Sequence, residues 1–225
     1  EIYKFKVWDG VLRTEWNATA TYQVGNDFYT ISGFSMLSGL FVQLTTEMNI
    51  ELSTGWNIIS SYVVPENTNI VDIYSPVVDN LKIAKNGYGL MYVPAYSINT
   101  IENWNVLDGY LVNMLQSGTL TINGYQIVPE ETEIPLSNGW TLAPYLRNNP
   151  MYAPTAFESI ADNLVIAKDN FGGVYVPLYG INTIGYLEPT YGYYLNVNTE
   201  SNLVYPSNSA QKGSVIESIT PNPKH

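Results

Sequence analysis

Leu52-Ser53-Thr54-Gly55-Trp56 recurs as Leu136-Ser137-Asn138-Gly139-Trp140, and Asp79-Asn80-Leu81-Lys82-Ile83-Ala84-Lys85 recurs as Asp162-Asn163-Leu164-Val165-Ile166-Ala167-Lys168. The first pair is offset by 84 residues and the second by 83. The register then holds. Tyr92-Val93-Pro94 answers to Tyr175-Val176-Pro177, Ile98-Asn99-Thr100-Ile101 to Ile181-Asn182-Thr183-Ile184, and Gly109-Tyr110 to Gly192-Tyr193. A fixed period of this kind identifies a tandem duplication before any secondary structure is assigned. Residues 49–128 form repeat 1 and residues 129–206 form repeat 2.

Within a repeat, Trp56 to Val64 is rich in β-branched and aromatic residues and reads as one buried strand ended by Pro65. A short helix follows. Thr155 and Glu158 have capping-box spacing in repeat 2, and Asp72 is the candidate cap in repeat 1, with Pro76 early enough to be tolerated. Leu81–Lys85 and Leu90–Val93 read as strands around a glycine-containing turn, and Tyr110–Gln116 as a further strand. Asn123-Gly124 predicts a hairpin between Thr119–Ile122 and Tyr125–Val128. In repeat 2, Pro144 removes a ladder donor and so places its strand at a sheet edge. The expected fold is mainly β (a β-rich α+β class), with the repeats packed as a pseudo-twofold pair. One repeat of about 75 residues would leave a face uncovered.

Outside the repeats, residues 1–48 contain alternating segments such as Tyr3-Lys4-Phe5-Lys6-Val7-Trp8 and read as the terminal strands of a β-sandwich. Residues 207–225, rich in Ser, Asn, Pro and Gly, read as a linker or the start of another module.

The Leu-x-x-Gly-Trp-Asn opening, which departs from the pattern in repeat 2 with Thr141 in place of Asn57, the Ile-Ala-Lys and Tyr-Val-Pro strands and the Gly-Tyr closing strand resemble repeats found in large surface proteins of Bacteroidetes, over about residues 50 to 206. Phe5-Lys6-Val7-Trp8-Asp9 and Ala18-Thr19-Ala20-Thr21-Tyr22 are similar to the end of the sandwich module that commonly precedes them. Ile219-Thr220-Pro221-Asn222-Pro223 resembles the start of a type IX secretion sorting domain or of a further module. The resemblance implies an extracellular or cell-surface protein, and it carries no catalytic residues with it.

Composition narrows the chemistry. A net charge of −11 disfavours nucleic acid and anionic lipid, and no apolar run reaches the length of a membrane helix. There is no cysteine, and the single histidine is His225, so thiolate or histidine catalysis and the usual zinc sites have no ligands. Glu102 and Asp108 form a carboxylate pair that glycoside hydrolysis would require, yet repeat 2 has Gly185 and Tyr191 in their places. The expectation is no enzyme and no organic cofactor. Calcium needs only oxygen ligands, and Asp79 and Asp162 are its candidates.

Trp56 and Trp140 follow a glycine at equivalent places and read as core anchors, while Asn99 and Asn182 read as turn-closing amides. Lys85 and Lys168 read as solvated strand ends with an acid nearby, and Glu130, Glu131 and Glu133 as a solvated connector. The 19 tyrosines suggest sugar stacking. Trp104 is the leading ligand-binding candidate because its counterpart is Leu187, so the core does not require an indole there. Tyr88, Tyr96, Tyr179 and Tyr191 fall in expected loops and join it. Three functions compete: a glycan-binding or adhesive module with a polysaccharide or surface-protein partner, a structural or assembly unit of a surface filament, and an accessory domain of a secreted polysaccharide hydrolase.

Overall fold

The computed structural model describes residues 3–9, 14–28, 33–42 and 45–208. His225, the Ile219–Pro223 motif and most of the expected linker lie outside the described residues. The chain divides between Thr46 and Glu47 into two compact units. In the first, β1 (Phe5–Asp9), β2 (Thr14–Val24) and β3 (Met36–Val42) form an antiparallel meander.

The boundary falls within β4 (Thr45–Leu52), most of which belongs to the second unit, and β5 (Gly55–Ile59), β6 (Val63–Pro65) and the helix α1 (Ile70–Tyr74) follow. Next come β7 (Leu81–Asn86), β8 (Met91–Val93), β9 (Ile98–Asn99), β10 (Tyr110–Met114) and β11 (Gly118–Gln126). Repeat 2 contributes β12 (Ile134–Leu136), β13 (Gly139–Pro144), β14 (Met151–Tyr152) and α2 (Ala153–Ala156). It ends with β15 (Leu164–Lys168), β16 (Val174–Val176), β17 (Ile181–Asn182), β18 (Tyr186–Leu187), β19 (Gly192–Val197) and β20 (Ser201–Leu203). The protein is mostly β. Its two five-stranded sheets run β5-β10-β7-β8-β9 and β13-β19-β15-β16-β17, the same order built from corresponding residues. As Pro144 predicts, β13 is an edge strand.

The strand expected over Trp56–Val64 is two strands. Ser60 and Ser61, both fully buried, break it, and β6 leaves the large sheet to join β4-β11-β6. The Asn123-Gly124 hairpin does not form, because both residues lie inside the continuous strand β11. Gly124 is required for a close approach: a Cβ there would collide with the carbonyl oxygen of Val64 on the paired strand. Asn69, not Asp72, caps α1, accepting from the Val71 amide at 2.9 Å. Thr155 lies within α2, whose amino end carries Pro154 and has no side-chain cap.

Two cores result, one around Ile50, Tyr74, Tyr110 and Leu120, the other around Tyr145, Phe157, Tyr193 and Tyr205. The repeats touch reciprocally. The Gly109 amide donates to Leu142 O at 3.1 Å, and Leu142 closes the space where a Gly109 Cβ would project. At the matching place in repeat 2, Gly192 lies against Ile58 and Ile59. Ser60 links both repeats: its amide donates to Thr190 O at 2.7 Å, its hydroxyl donates to Tyr191 O at 2.6 Å, and its Oγ accepts from the Tyr145 amide at 3.0 Å.

The repeats part company where β6 pairs with the end of β11. The counterpart of Val63 is Arg147, whose buried guanidinium donates to the carbonyls of Pro206 and Ser207. The Tyr205 hydroxyl donates to Pro144 O at 2.9 Å, and Asn208 Oδ1 accepts from the Asn148 amide at 3.2 Å. Ser207 and Asn208 therefore belong to the folded unit and not to the expected linker.

Candidate functional site

Gly55 and Gly139 have φ of +89° and +97°, and this left-handed step turns the following strand so that its first side chain faces outward. Trp56 is 48% and Trp140 52% exposed, which overturns their reading as core anchors. Asn57 takes the inward position. Its carboxamide accepts from the Ser53 amide at 2.9 Å and donates to Ser53 O at 2.8 Å, satisfying the loop before the strand. A polar residue thus points in because it closes a backbone turn, and the indole is left on the outer face.

On that face each tryptophan has two neighbours kept in both repeats. Trp56 pairs directly with Asn113 across β5 and β10, and Trp140 with Asn196 across β13 and β19. Directly paired residues share a face. Lys85 Nζ lies 5.6 Å from the Trp56 ring centroid and Lys168 Nζ 4.9 Å from that of Trp140. The lysines therefore meet rings and not the expected acids, a cation–π arrangement available to exposed pairs. Beside each indole there is thus one ammonium and one directly paired carboxamide.

Trp104 is 3% exposed, so it is not a surface anchor. It stacks on Tyr110 with centroids 4.2 Å apart and meets Tyr74 at 6.2 Å. Leu187, its counterpart, is equally buried, so both repeats need an apolar side chain there. The volume difference is met from across the core. Tyr145 contacts Tyr193 edge-on at 6.3 Å, and Tyr145 corresponds to the small Ser61 of repeat 1. That covariation, visible in the aligned repeats, is the signal that would have placed Trp104 inside.

Tyr88, Tyr96 and Tyr179 are exposed, in the turn after β7 and in the 3-10 turns Pro94–Tyr96 and Pro177–Tyr179. Phe171 occupies the Tyr88 position in repeat 2 and is exposed too, a residue sequence reasoning missed because it is not a tyrosine. Tyr191 is partly buried, lies 5.6 Å from Phe171 and forms a backbone bridge with Ile59. Asn170 Nδ2 donates to Trp56 O at 3.2 Å, which seats the Phe171 turn of repeat 2 beside Trp56 of repeat 1.

Asp79 and Asp162 are exposed at the turns entering β7 and β15, and Asp162 shares an open groove with Tyr179. Among the described residues no group of three or more His, Cys, Asp or Glu comes together around a metal-sized space. Asn99 and Asn182 do close turns, accepting from the Glu102 and Gly185 amides at 3.0 and 2.9 Å. Glu102 sits exposed at a φ of +63°, whereas Asp108 is buried and accepts from Asn86 and Asn105, both at 3.1 Å. Burial raises the Asp108 carboxyl above the usual aspartate range, and the two amide donors offset part of that shift.

No family model, curated protein or solved structure matches the chain. Among the described residues, no helix is long and apolar enough to cross a membrane.

Proposed function

We propose that this chain is a non-catalytic extracellular module that binds polysaccharide through exposed aromatic platforms. One observation carries the reading: three exposed aromatic positions, Trp56/Trp140, Tyr88/Phe171 and Tyr96/Tyr179, are kept in both repeats although none of them is core. Side chains retained in the open are not explained by packing, and large exposed rings mark interaction surfaces. Flat rings stack on the apolar faces of sugar rings, while Asn113 and Asn196 beside them offer both donors and acceptors to hydroxyls. The resemblance to Bacteroidetes surface repeats supports the location, and the buried, amide-bound Asp108 argues against its use with Glu102 as an acid–base pair.

Titration of the purified chain against a panel of neutral and acidic plant and marine polysaccharides tests this. Binding is expected, weakened at least about tenfold in Trp56→Ala or Trp140→Ala, as for a central aromatic contact. Absence of binding to the whole panel, together with self-association that Tyr96→Ala and Tyr179→Ala abolish, would assign the rings to assembly of a surface filament instead.

A further inference from the structure

The aligned repeats differ most sharply in chemistry just behind the β7 and β15 turns. In repeat 1 a single carboxylate, Asp108, sits between the amide groups of Asn86 and Asn105, and the network is closed. In repeat 2 the three positions hold Asp169, Glu188 and Tyr191. Two donors around one acceptor have become two acceptors.

These residues line an open cleft of about 330 Å³, near the lower end of the range for small-molecule sites and suited to a single sugar ring. Phe171, Tyr186, Tyr191 and Tyr193 supply its aromatic walls and floor. Asp169 Oδ1 is held by the turn, accepting from the Phe171 and Gly173 amides at 2.8 and 2.7 Å, which fixes the carboxylate and leaves Oδ2 without a described donor. The Glu188 amide donates to the Tyr193 hydroxyl at 2.8 Å, anchoring the backbone of the second acid beside the same ring. Both acids line the same cleft as the Tyr193 ring. Partial desolvation lifts the Glu188 carboxyl above the ordinary glutamate range.

We propose that this cleft binds a protonated amino sugar, with its ammonium between Asp169 and Glu188 and its ring against the aromatic walls. Two carboxylates without the side-chain amides that repeat 1 has at these positions complement a group that is all donor and positively charged, and an ammonium has three N–H bonds and no acceptor. The aromatic walls favour the same ion, since ring faces attract a cation. Calcium would want six or more oxygens, and the cleft offers chiefly ring carbon. The sugar half of this assignment rests on the polysaccharide-binding reading. The charge half rests on the cleft alone.

The test uses tetraglucosamine, its fully N-acetylated counterpart, an oligolysine peptide and calcium chloride, each titrated against the whole chain by calorimetry. Tetraglucosamine is expected to bind and the acetylated oligomer to bind at least about tenfold more weakly, because acetylation removes the charge. Asp169→Asn with Glu188→Asn installs the residues repeat 1 already carries, and Asn86 accepts the equivalent turn amides at 3.1 Å, so the variant keeps its turn. Its affinity for tetraglucosamine should fall at least about tenfold with an unchanged melting midpoint. Equal binding of both oligomers, or undiminished binding by the variant, overturns the assignment. So does binding of oligolysine or calcium without tetraglucosamine. A neutral polysaccharide that binds wild type and the acid variant alike, alongside no tetraglucosamine binding, sinks the amine site and leaves the platform reading standing. Tetraglucosamine binding that survives Trp56→Ala and Trp140→Ala, with no polysaccharide bound at all, does the reverse.

Discussion

Around the two equivalent tyrosines Tyr110 and Tyr193, each core keeps one large aromatic neighbour, Trp104 stacked on the first and Tyr145 edge-on to the second. Truncating Trp104 removes most of the contents of that space. Trp104→Ala is expected to cost about 3–5 kcal/mol in chemical denaturation, whereas Trp56→Ala should cost about 1 kcal/mol or less because its ring is half in solvent. A second residue-scale outcome concerns Glu102, which holds a φ of +63° where repeat 2 has Gly185 at +74°. Left-handed backbone is costly for a residue with a Cβ, and the greater freedom of glycine in the unfolded chain returns part of the gain. Glu102→Gly should raise stability by about 0.5–1 kcal/mol, measured by urea midpoint. The sequence made Trp104 look dispensable to the core and Trp56 look essential. Identity between repeats records that a position is constrained, but not whether packing or the surface constrains it. The inward Asn57, occupied with backbone groups, decided the matter, and its hydrogen bonds are not written in a hydropathy pattern.

At the scale of elements, the strands were legible where residue type and turn chemistry agreed, as for β7 and β8 around their glycine turn. They were misread where a glycine had a different use. Gly124 sits under the Val64 carbonyl of the paired strand, not in a turn, so Gly124→Ala should force β6 away from β11. A destabilisation of about 2 kcal/mol or more is expected, with hydrogen exchange accelerating first at Tyr125 and Gln126. The seam between repeats depends on Ser60 in a comparable way. Ser60→Ala leaves the Tyr145 amide and the Tyr191 carbonyl without their partner at a buried position, a loss of about 1–3 kcal/mol. An unchanged midpoint in that variant would mean that the seam contributes nothing to cohesion between the repeats.

Across the whole molecule, stability without disulfides rests on cores rich in tyrosine. Burial lifts the hydroxyl pKa values of Tyr74, Tyr110, Tyr145, Tyr193 and Tyr205 well above the ordinary value of 10. A raised acid holds its proton more tightly in the folded state. The stability it contributes is therefore complete below the unfolded value and lost as pH rises from there towards the folded one. Each such tyrosine adds up to about 1.4 kcal/mol of loss per pH unit, so unfolding should be cooperative and begin above about pH 10, with the tyrosinate absorbance of these five buried side chains appearing as a step together with the loss of circular dichroism. Ionisation of all 19 tyrosines, these five included, in a protein that stays folded would contradict those burials. The mostly β class and the edge position of β13 could be read from residue order alone. The outward direction of Trp56 and Trp140 could not, because it follows from strand parity set by the left-handed steps at Gly55 and Gly139. The central claim is that residues exposed and kept in both repeats are the binding surface. It is tested most directly by measuring, on the Trp56→Ala/Trp140→Ala double variant, both polysaccharide affinity and melting midpoint: the account predicts that binding is lost while the midpoint moves little, and intact binding in a stable double variant would contradict it.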